Sequence, residues 1–412
     1  MRSFARQSPS IVLASRSRRR NRSPSGVGLH LRPAARNVTL PKWRSILWWL
    51  ALLLSANCYA GVDEGIAAYR AGDYAKAMAE LRPLADQGNA IAQRTLASMF
   101  AVGRGVKEDD AQAIAWWTKA AEQGDAQAQW ELGGEYTSGT RVRRDYQKAF
   151  AWSLKSAEQG YGPADINVAS FYTGGYGDIG ADQKQVVHWL GLAADQNTMG
   201  AASWLGDHYA AGVGVPRDAV QAVYWWLRAT STDRNAFSAQ ANLGESYELG
   251  RGVERNYTQA LAWYQKAAFM NEKARLGLAR MYNQGLGTAP DAARAAAIYG
   301  DLAAKGSDDA QRYLAGMYER GEGVPRNLEI AAAWYEVLAT HRTDVAPLKN
   351  LIGNVAPSGT LEKIEQAMAE DAANSKAHAD QLLQQLTAEQ AAKAHELAQS
   401  WRPGQLISDA DQ

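Results

Sequence analysis

The sequence predicts an all-α fold, a right-handed α-solenoid of stacked helix–turn–helix units, on three observations. A polar residue suited to helix capping recurs at Asp109, Asp145, Asp182, Asp218, Asn256, Asp291 and Asn327, with gaps of 36, 37, 36, 38, 35 and 36 residues. Four residues after each comes Ala113, Ala149, Val186, Ala222, Ala260, Ala295 or Ala331, and seven after comes Trp116, Trp152, Trp189, Trp225, Trp263, Ile298 or Trp334, on one helical face. Upstream of each marker runs a second stripe of four-residue spacing, as in Ala201-Leu205-Tyr209 and Ala239-Leu243-Tyr247. A period of this length is the signature of a repeat architecture, in which stacked neighbours bury what one helix pair leaves bare.

The elements follow in chain order. Residues 1–60 carry eleven Arg or Lys and no Asp or Glu. Lys42-Trp43-Arg44, the apolar run Ile46 to Leu54 and Cys58-Tyr59-Ala60 read as a signal peptide cleaved after Ala60. That apolar run is short for a bilayer span, which takes roughly 20 residues, so no permanent span is expected after cleavage. The preceding forty residues are rich in Arg and Ser, unlike an ordinary n-region, and a start at Val38 would give a conventional leader. Cys58 is the chain's single cysteine. Asn57 before it disfavours lipidation, and cleavage after Ala60 leaves no thiol for disulfide chemistry.

Residues 61–89 read as an N-terminal capping unit, with Asp73 in the marker register and Glu80 where tryptophan stands elsewhere. Seven units fill 90–344. In each, a first helix carries the Ala-Leu-aromatic stripe and ends at a glycine such as Gly103, Gly212, Gly250 or Gly321. A second helix then starts at the capping residue, whose side-chain oxygen accepts from first-turn N–H groups. After Asp344 the register stops. Residues 345–404 read as a C-terminal helical cap, its last helix opened by the capping-box pair Thr387 and Gln390, and 405–412 as a tail.

The string Ala-x3-Leu-x3-Tyr-x2-Gly-x-Gly-Val, then Asp/Asn-x3-Ala-x2-Trp-Tyr-x2-Ala-Ala, resembles the Sel1-like repeat family, relatives of tetratricopeptide repeats. Ala241 to Ala268, ANLGESYELGRGVERNYTQALAWYQKAA, is the cleanest copy, and the resemblance covers roughly residues 62–344. It implies a secreted bacterial adaptor with no shared catalytic residues. A cysteine-rich branch of the family is associated with β-lactam binding, but its disulfide-stapled helix pairs have no counterpart here. With the capping unit counted as the first, the third unit departs from the pattern at Gly139-Thr140-Arg141-Val142, the fourth at the long turn Thr173 to Gly180, and the seventh at Ile298.

Composition bounds the chemistry. The chain has 412 residues, 46% hydrophobic and 21% charged, with net charge +1. Without the leader, 33 basic residues face 43 acidic ones, a net of −10. That balance, and the lack of a basic aromatic stripe, argue against nucleic acid. His188, His208, His341, His378 and His395 show no metal spacing, no catalytic constellation stands out, and no cofactor is expected. Arg141, Arg143 and Arg144 read as a solvated cluster, and the glycines after Thr173 as an elongated turn rather than a phosphate cradle.

Eleven tryptophans follow Ala60, and the periodic ones read as core. Trp130 and Trp204 lie off the Ala-Leu-Tyr stripe of their helices. With Glu131, Glu135, Asp207 and His208 they form the candidate partner-binding patch, on a helix expected to line the concave face. The function expected is non-enzymatic: a periplasmic or secreted scaffold holding a protein or peptide. A binder of cell-wall or exopolysaccharide glycans is the alternative, and an envelope hydrolase resembling a β-lactamase is less expected.

Overall fold

The computed structural model describes residues 61–341 and 360–408; the leader with Cys58 and Ala60, residues 342–359 and residues 409–412 lie outside the described residues. Among those described there are eighteen helices and no strand. They alternate as first and second helices of successive units. The pairs are α1 (61–71) with α2 (Tyr74–Asp86), α3 (Ala90–Ala101) with α4 (Asp110–Glu122), and α5 (Ala126–Ser138) with α6 (Tyr146–Glu158). Next come α7 (Gly162–Gly174) with α8 (Gln183–Asp195), α9 (Ala201–Ala211) with α10 (Ala219–Thr232), and α11 (Phe237–Leu249) with α12 (Tyr257–Ala267). The last pairs are α13 (Glu272–Gln284) with α14 (Ala292–Ala304) and α15 (Asp308–Arg320) with α16 (Leu328–His341), followed by α17 (Thr360–Leu383) and α18 (Ala388–Ser400).

Every second helix from α4 to α16 begins the same way. The capping oxygens of Asp109, Asp145, Asp182, Asp218, Asn256 and Asp291 accept from the N–H groups of their first turns, and Asn327 accepts from Glu329 and Ile330. The backbone N–H of each capping residue donates in turn to the carbonyl of the stripe aromatic: Phe100, Tyr136, Tyr172, Tyr209, Tyr247, Tyr282 or Tyr318, at 2.7 to 3.0 Å. One residue therefore terminates the turn and fixes how the two helices of its unit meet.

The Gly-x-Gly turn also joins units. Gly252 has φ 75°, and a Cβ there would strike the Ala219 carbonyl at the start of α10. Its glycine lets the turn lie directly on the preceding unit. Arg141 holds this register position in the α5–α6 turn and solves the problem with charge. Its guanidinium pairs with Asp110 at 3.1 Å and Glu135 at 2.7 Å, and donates to the Ala101 carbonyl at 2.8 Å. Rather than a solvated cation, it is a bolt between neighbouring units; Arg144 donates to the Ser138 carbonyl, and Arg143 is exposed. Arg141→Ala is expected to cost about 1.5–3 kcal/mol in urea denaturation, the size of a lost charged hydrogen bond; an unchanged midpoint would remove its structural role.

Packing between layers uses two registers of the second helix. The small residue four after the cap is buried in all seven units. The large residue that fills the layer stands eight after it, as Trp117, Leu190, Trp226, Tyr264 and Tyr299, each at most 6% exposed. The tryptophans seven after the cap are buried at Trp116 and Trp334 but half-buried at Trp152, Trp189, Trp225 and Trp263. Cations three residues on cover several of their rings: Lys119 over Trp116 at 3.9 Å, Lys155 over Trp152 at 4.3 Å, Arg228 over Trp225 at 5.2 Å and Lys266 over Trp263 at 4.0 Å.

A glutamine clasp runs along another edge. Buried Gln93, Gln129 and Gln311, in the first turns of their helices, donate to the carbonyls of Ala85, Ala121 and Ala303 at 3.0 to 3.1 Å. Gln123 and Gln159, at the ends of α4 and α6, donate to the side-chain oxygens of Gln93 and Gln129 at 2.7 Å. These bonds satisfy carbonyls that a helix end leaves open.

The last unit is closed by α17 and α18, which pack on α16. Arg312 pairs with Asp371, His378 with Glu319, and both Lys376 and His395 with the nearly buried Glu336. Thr387 and Gln390 form a reciprocal capping box at the start of α18. Beyond Trp401 the chain turns back over the array: Gly404 N–H donates to the Ala304 carbonyl, Trp334 Nε1 donates to the Ile407 carbonyl, and Ile407 is buried.

Candidate functional site

First helices approach their own kind across units. Helix α11 packs against both α9 and α13, its counterparts on either side, which puts the first helices on the inner side of the stack. The residues on that line sit one before and two after the stripe leucine. In the later units they are Trp204 and Asp207, Asn242 and Glu245, Gly277 and Arg280, and Tyr313 and Gly316.

A continuous polar chain crosses three of these helices. Trp226 Nε1 and Asn242 Nδ2 both donate to Asp207 Oδ1, at 2.9 and 2.8 Å. Lys273 Nζ donates to Asn242 Oδ1 at 2.9 Å and pairs with Glu245, which also takes Arg251 at 3.1 Å. Burial pushes the Asp207 carboxyl above its ordinary range, against the pull of the Trp226 and Asn242 donors and of Lys273. Beside this chain Glu248, 6% exposed, accepts from Tyr264 Oη at 2.7 Å and from Arg280 Nε and Nη2 at 2.8 and 2.7 Å. Burial raises the Tyr264 phenol, and the Glu248 carboxylate raises the Arg280 guanidinium.

Two adjoining clefts share Glu245 and Lys273. One, of about 300 Å³, is lined by Asp207, Trp226, Asn242, Ser246, Arg217 and Arg251. Its neighbour, of about 560 Å³, is walled by Leu249, Tyr264, Leu276 and Arg280, with Glu272 and Asp309 at its margin. A third cleft of about 300 Å³ opens between α5 and α7, where Phe171 and Tyr176 meet Gly134, Thr137, Asn167 and Ser170. No group of His, Cys, Asp and Glu able to hold a metal occurs among the described residues.

The six residues singled out from sequence divide by register. Glu131, Trp204 and Asp207 lie on the inner line. Trp130 stands one position off it, half-buried, with its ring edge against Tyr161 at 5.9 Å. Glu135 and His208 lie three after the stripe leucine, a position turned toward structure. Glu135 holds Arg141, and His208 is 6% exposed with Nδ1 on the Val213 carbonyl at 2.9 Å. Burial is the main cause raising the Glu131 carboxyl, with Glu135 adding to it. No described cleft is lined by both groups, which sit on α5 and α9 with α7 and α8 between. Asn242, Glu245, Lys273 and Arg280 escaped the sequence reading. Aligning the position two after each stripe leucine would have found Glu245 and Arg280; Lys273 reaches the cleft from the first turn of α13.

The Sel1 repeat model matches seven consecutive stretches: residues 90–125, 126–161, 162–198, 200–231, 237–268, 273–308 and 308–340. Among solved structures, the chain is similar to a protective antigen of uropathogenic Escherichia coli with an SLR fold. The two are 22% identical, with 85% of this chain and 93% of that one covered and a TM-score of 0.53, a likeness of fold alone. It is also similar to a Sel1 repeat protein from Oxalobacter formigenes, at 28% identity over 72% of this chain and 90% of that one, TM-score 0.51. No curated protein matches it.

Proposed function

This chain belongs to the Sel1 repeat family, and from that premise we propose that it is a non-enzymatic scaffold of the periplasm or the secreted fraction, holding an extended protein segment along its first helices. Sel1 repeats generally mediate protein interactions. The observation that carries the reading is the polar chain Trp226–Asp207–Asn242–Lys273–Glu245–Arg251, which sets groups of both signs on rigid helices beside open clefts. Such a face selects a partner by charge and hydrogen-bond complementarity, with a few buried anchors supplying most of the affinity. The apolar cleft at Phe171 and Tyr176 accepts one anchor, and the mixed charges of α9 to α13 hold the polar remainder. The export step rests on the basic residues before Ile46, the apolar run and the small residues up to Ala60.

The test places a photo-crosslinking residue at Asn242 on the inner line or at Val220, which is 63% exposed on α10. The expected result is one protein adduct from Asn242 in the envelope fraction, absent from Val220 and lost with Lys273→Glu while the helical CD signal stays unchanged. Adducts from Val220 alone, or retention of glycan without protein, would replace this reading.

A further inference from the structure

We propose that Asp165 turns the joint between α6 and α7 into a pH-sensitive clasp, closed when its carboxyl is protonated and loosened when it ionises. The chain supplies its own controls. Gln93, Gln129 and Gln311 each donate to the carbonyl eight residues earlier, and Gln93 and Gln129 also accept from a glutamine at the end of the next second helix. Asp165 stands in the same register. Gln196 Nε2 donates to its Oδ2 at 2.9 Å, so the accepting half of the clasp is intact. The donating half is missing: Oδ1 is buried with no hydrogen-bond partner, in a residue 1% exposed. Eight residues earlier lies the Ala157 carbonyl, counterpart of Ala85, Ala121 and Ala303. A carboxylate offers that carbonyl nothing, whereas a protonated Oδ1 becomes a donor on a side chain one methylene shorter than the glutamines of this register.

No charge compensates the ionised form. The titratable groups on the packed elements are Glu131, Glu135 and Tyr136 on α5, Tyr146, Lys148, Lys155 and Glu158 on α6, Tyr161 between α6 and α7, and Lys184, His188 and Asp195 on α8, with Tyr172 on α7 itself. None bonds or pairs with the Asp165 carboxyl, whose residue meets Tyr161 only through the backbone; Asp195 is taken by Arg228 at 3.2 Å, and Tyr161 is the half-buried neighbour of Trp130. Burial raises the Asp165 carboxyl from 3.8 to about 6, with the Gln196 bond pulling the other way. Between those values the folded protein holds a proton that the opened chain has lost, so the joint weakens as pH rises through this window and is weakest above it.

Helix α7 also supplies Asn167, Ser170 and Phe171 to the cleft it shares with α5, so the clasp sits in the first turn of a helix whose following turns line that cleft. The pH response itself does not depend on any partner.

The experiment measures hydrogen exchange of α7 amides in the full chain at about pH 5 and about pH 7.5, corrected for intrinsic rates, in the native protein and in Asp165→Asn. The native opening constant is expected to be roughly tenfold larger at the higher pH, and the neutral isostere to lose most of that difference. Equal pH dependence in the two proteins overturns the proposal. A titration of the native Asp165 carboxyl carbon stands independently of whether the variant folds: a midpoint near 6 supports the clasp, and one near 3.8 ends it.

Discussion

Trp334→Ala is expected to lower stability by about 3–5 kcal/mol, the range for removing a fully buried tryptophan. Trp334 is fully buried in α16, its ring edge-on to Trp401 at 6.1 Å, and its Nε1 donates to the Ile407 carbonyl at 3.2 Å. The substitution removes the wall against which α18 closes and leaves the Ile407 carbonyl without that donor. Urea denaturation measures the loss, and limited proteolysis should show cleavage after Trp401 before any other site. A loss below about 1 kcal/mol would mean that α17 and α18 hold the end without this residue. The half-buried Trp152, Trp189, Trp225 and Trp263 should cost less on the same truncation, because part of each ring already meets water or a cation.

Gly252→Ala is expected to cost about 3 kcal/mol. Roughly 1 kcal/mol comes from placing a side chain at φ 75°, and the rest from moving the turn off the Ala219 carbonyl. Gly72→Ala separates the two contributions: Gly72 has φ 82°, but a methyl group there would meet nothing within 4 Å, so only the conformational part remains. Equal thermal shifts in the two variants would show that the close approach of turn and helix carries no energy.

How the units form was legible in the sequence because caps, glycines and small residues act locally. Asp109 and its counterparts declare a helix start within four residues, and the capping box of Thr387 needs nothing from the rest of the chain. What the register hid was a rotation of one residue. Tryptophan at seven after the cap is conspicuous, yet Leu190, Trp226, Tyr264 and Tyr299 at eight fill the layers, because a helix turned slightly toward its neighbour buries the next position. The same small rotation separates Trp204 and Asp207, on the inner line, from Glu135 and His208, turned into the packing against the following turn. Arg141 was misread for a different reason: its partners Asp110 and Glu135 lie on two units, and sequence distance conceals that meeting. Lys273 reached the cleft unseen in the same way.

The return of the chain after Trp401 makes the two ends of the array mechanically unequal. Most units hold only their neighbours, so such a stack yields one layer at a time under tension. At the C-terminal end, Gly404 on Ala304 and Ile407 on Trp334 stitch the last helices across several layers, and no layer there can peel without its fellows. A pulling force applied between residues 61 and 408 should therefore unravel the molecule from the α1–α2 end inward. The stitched end would give way last, in a single larger step, and loosening the clasp at Asp165 would move the first break toward the middle.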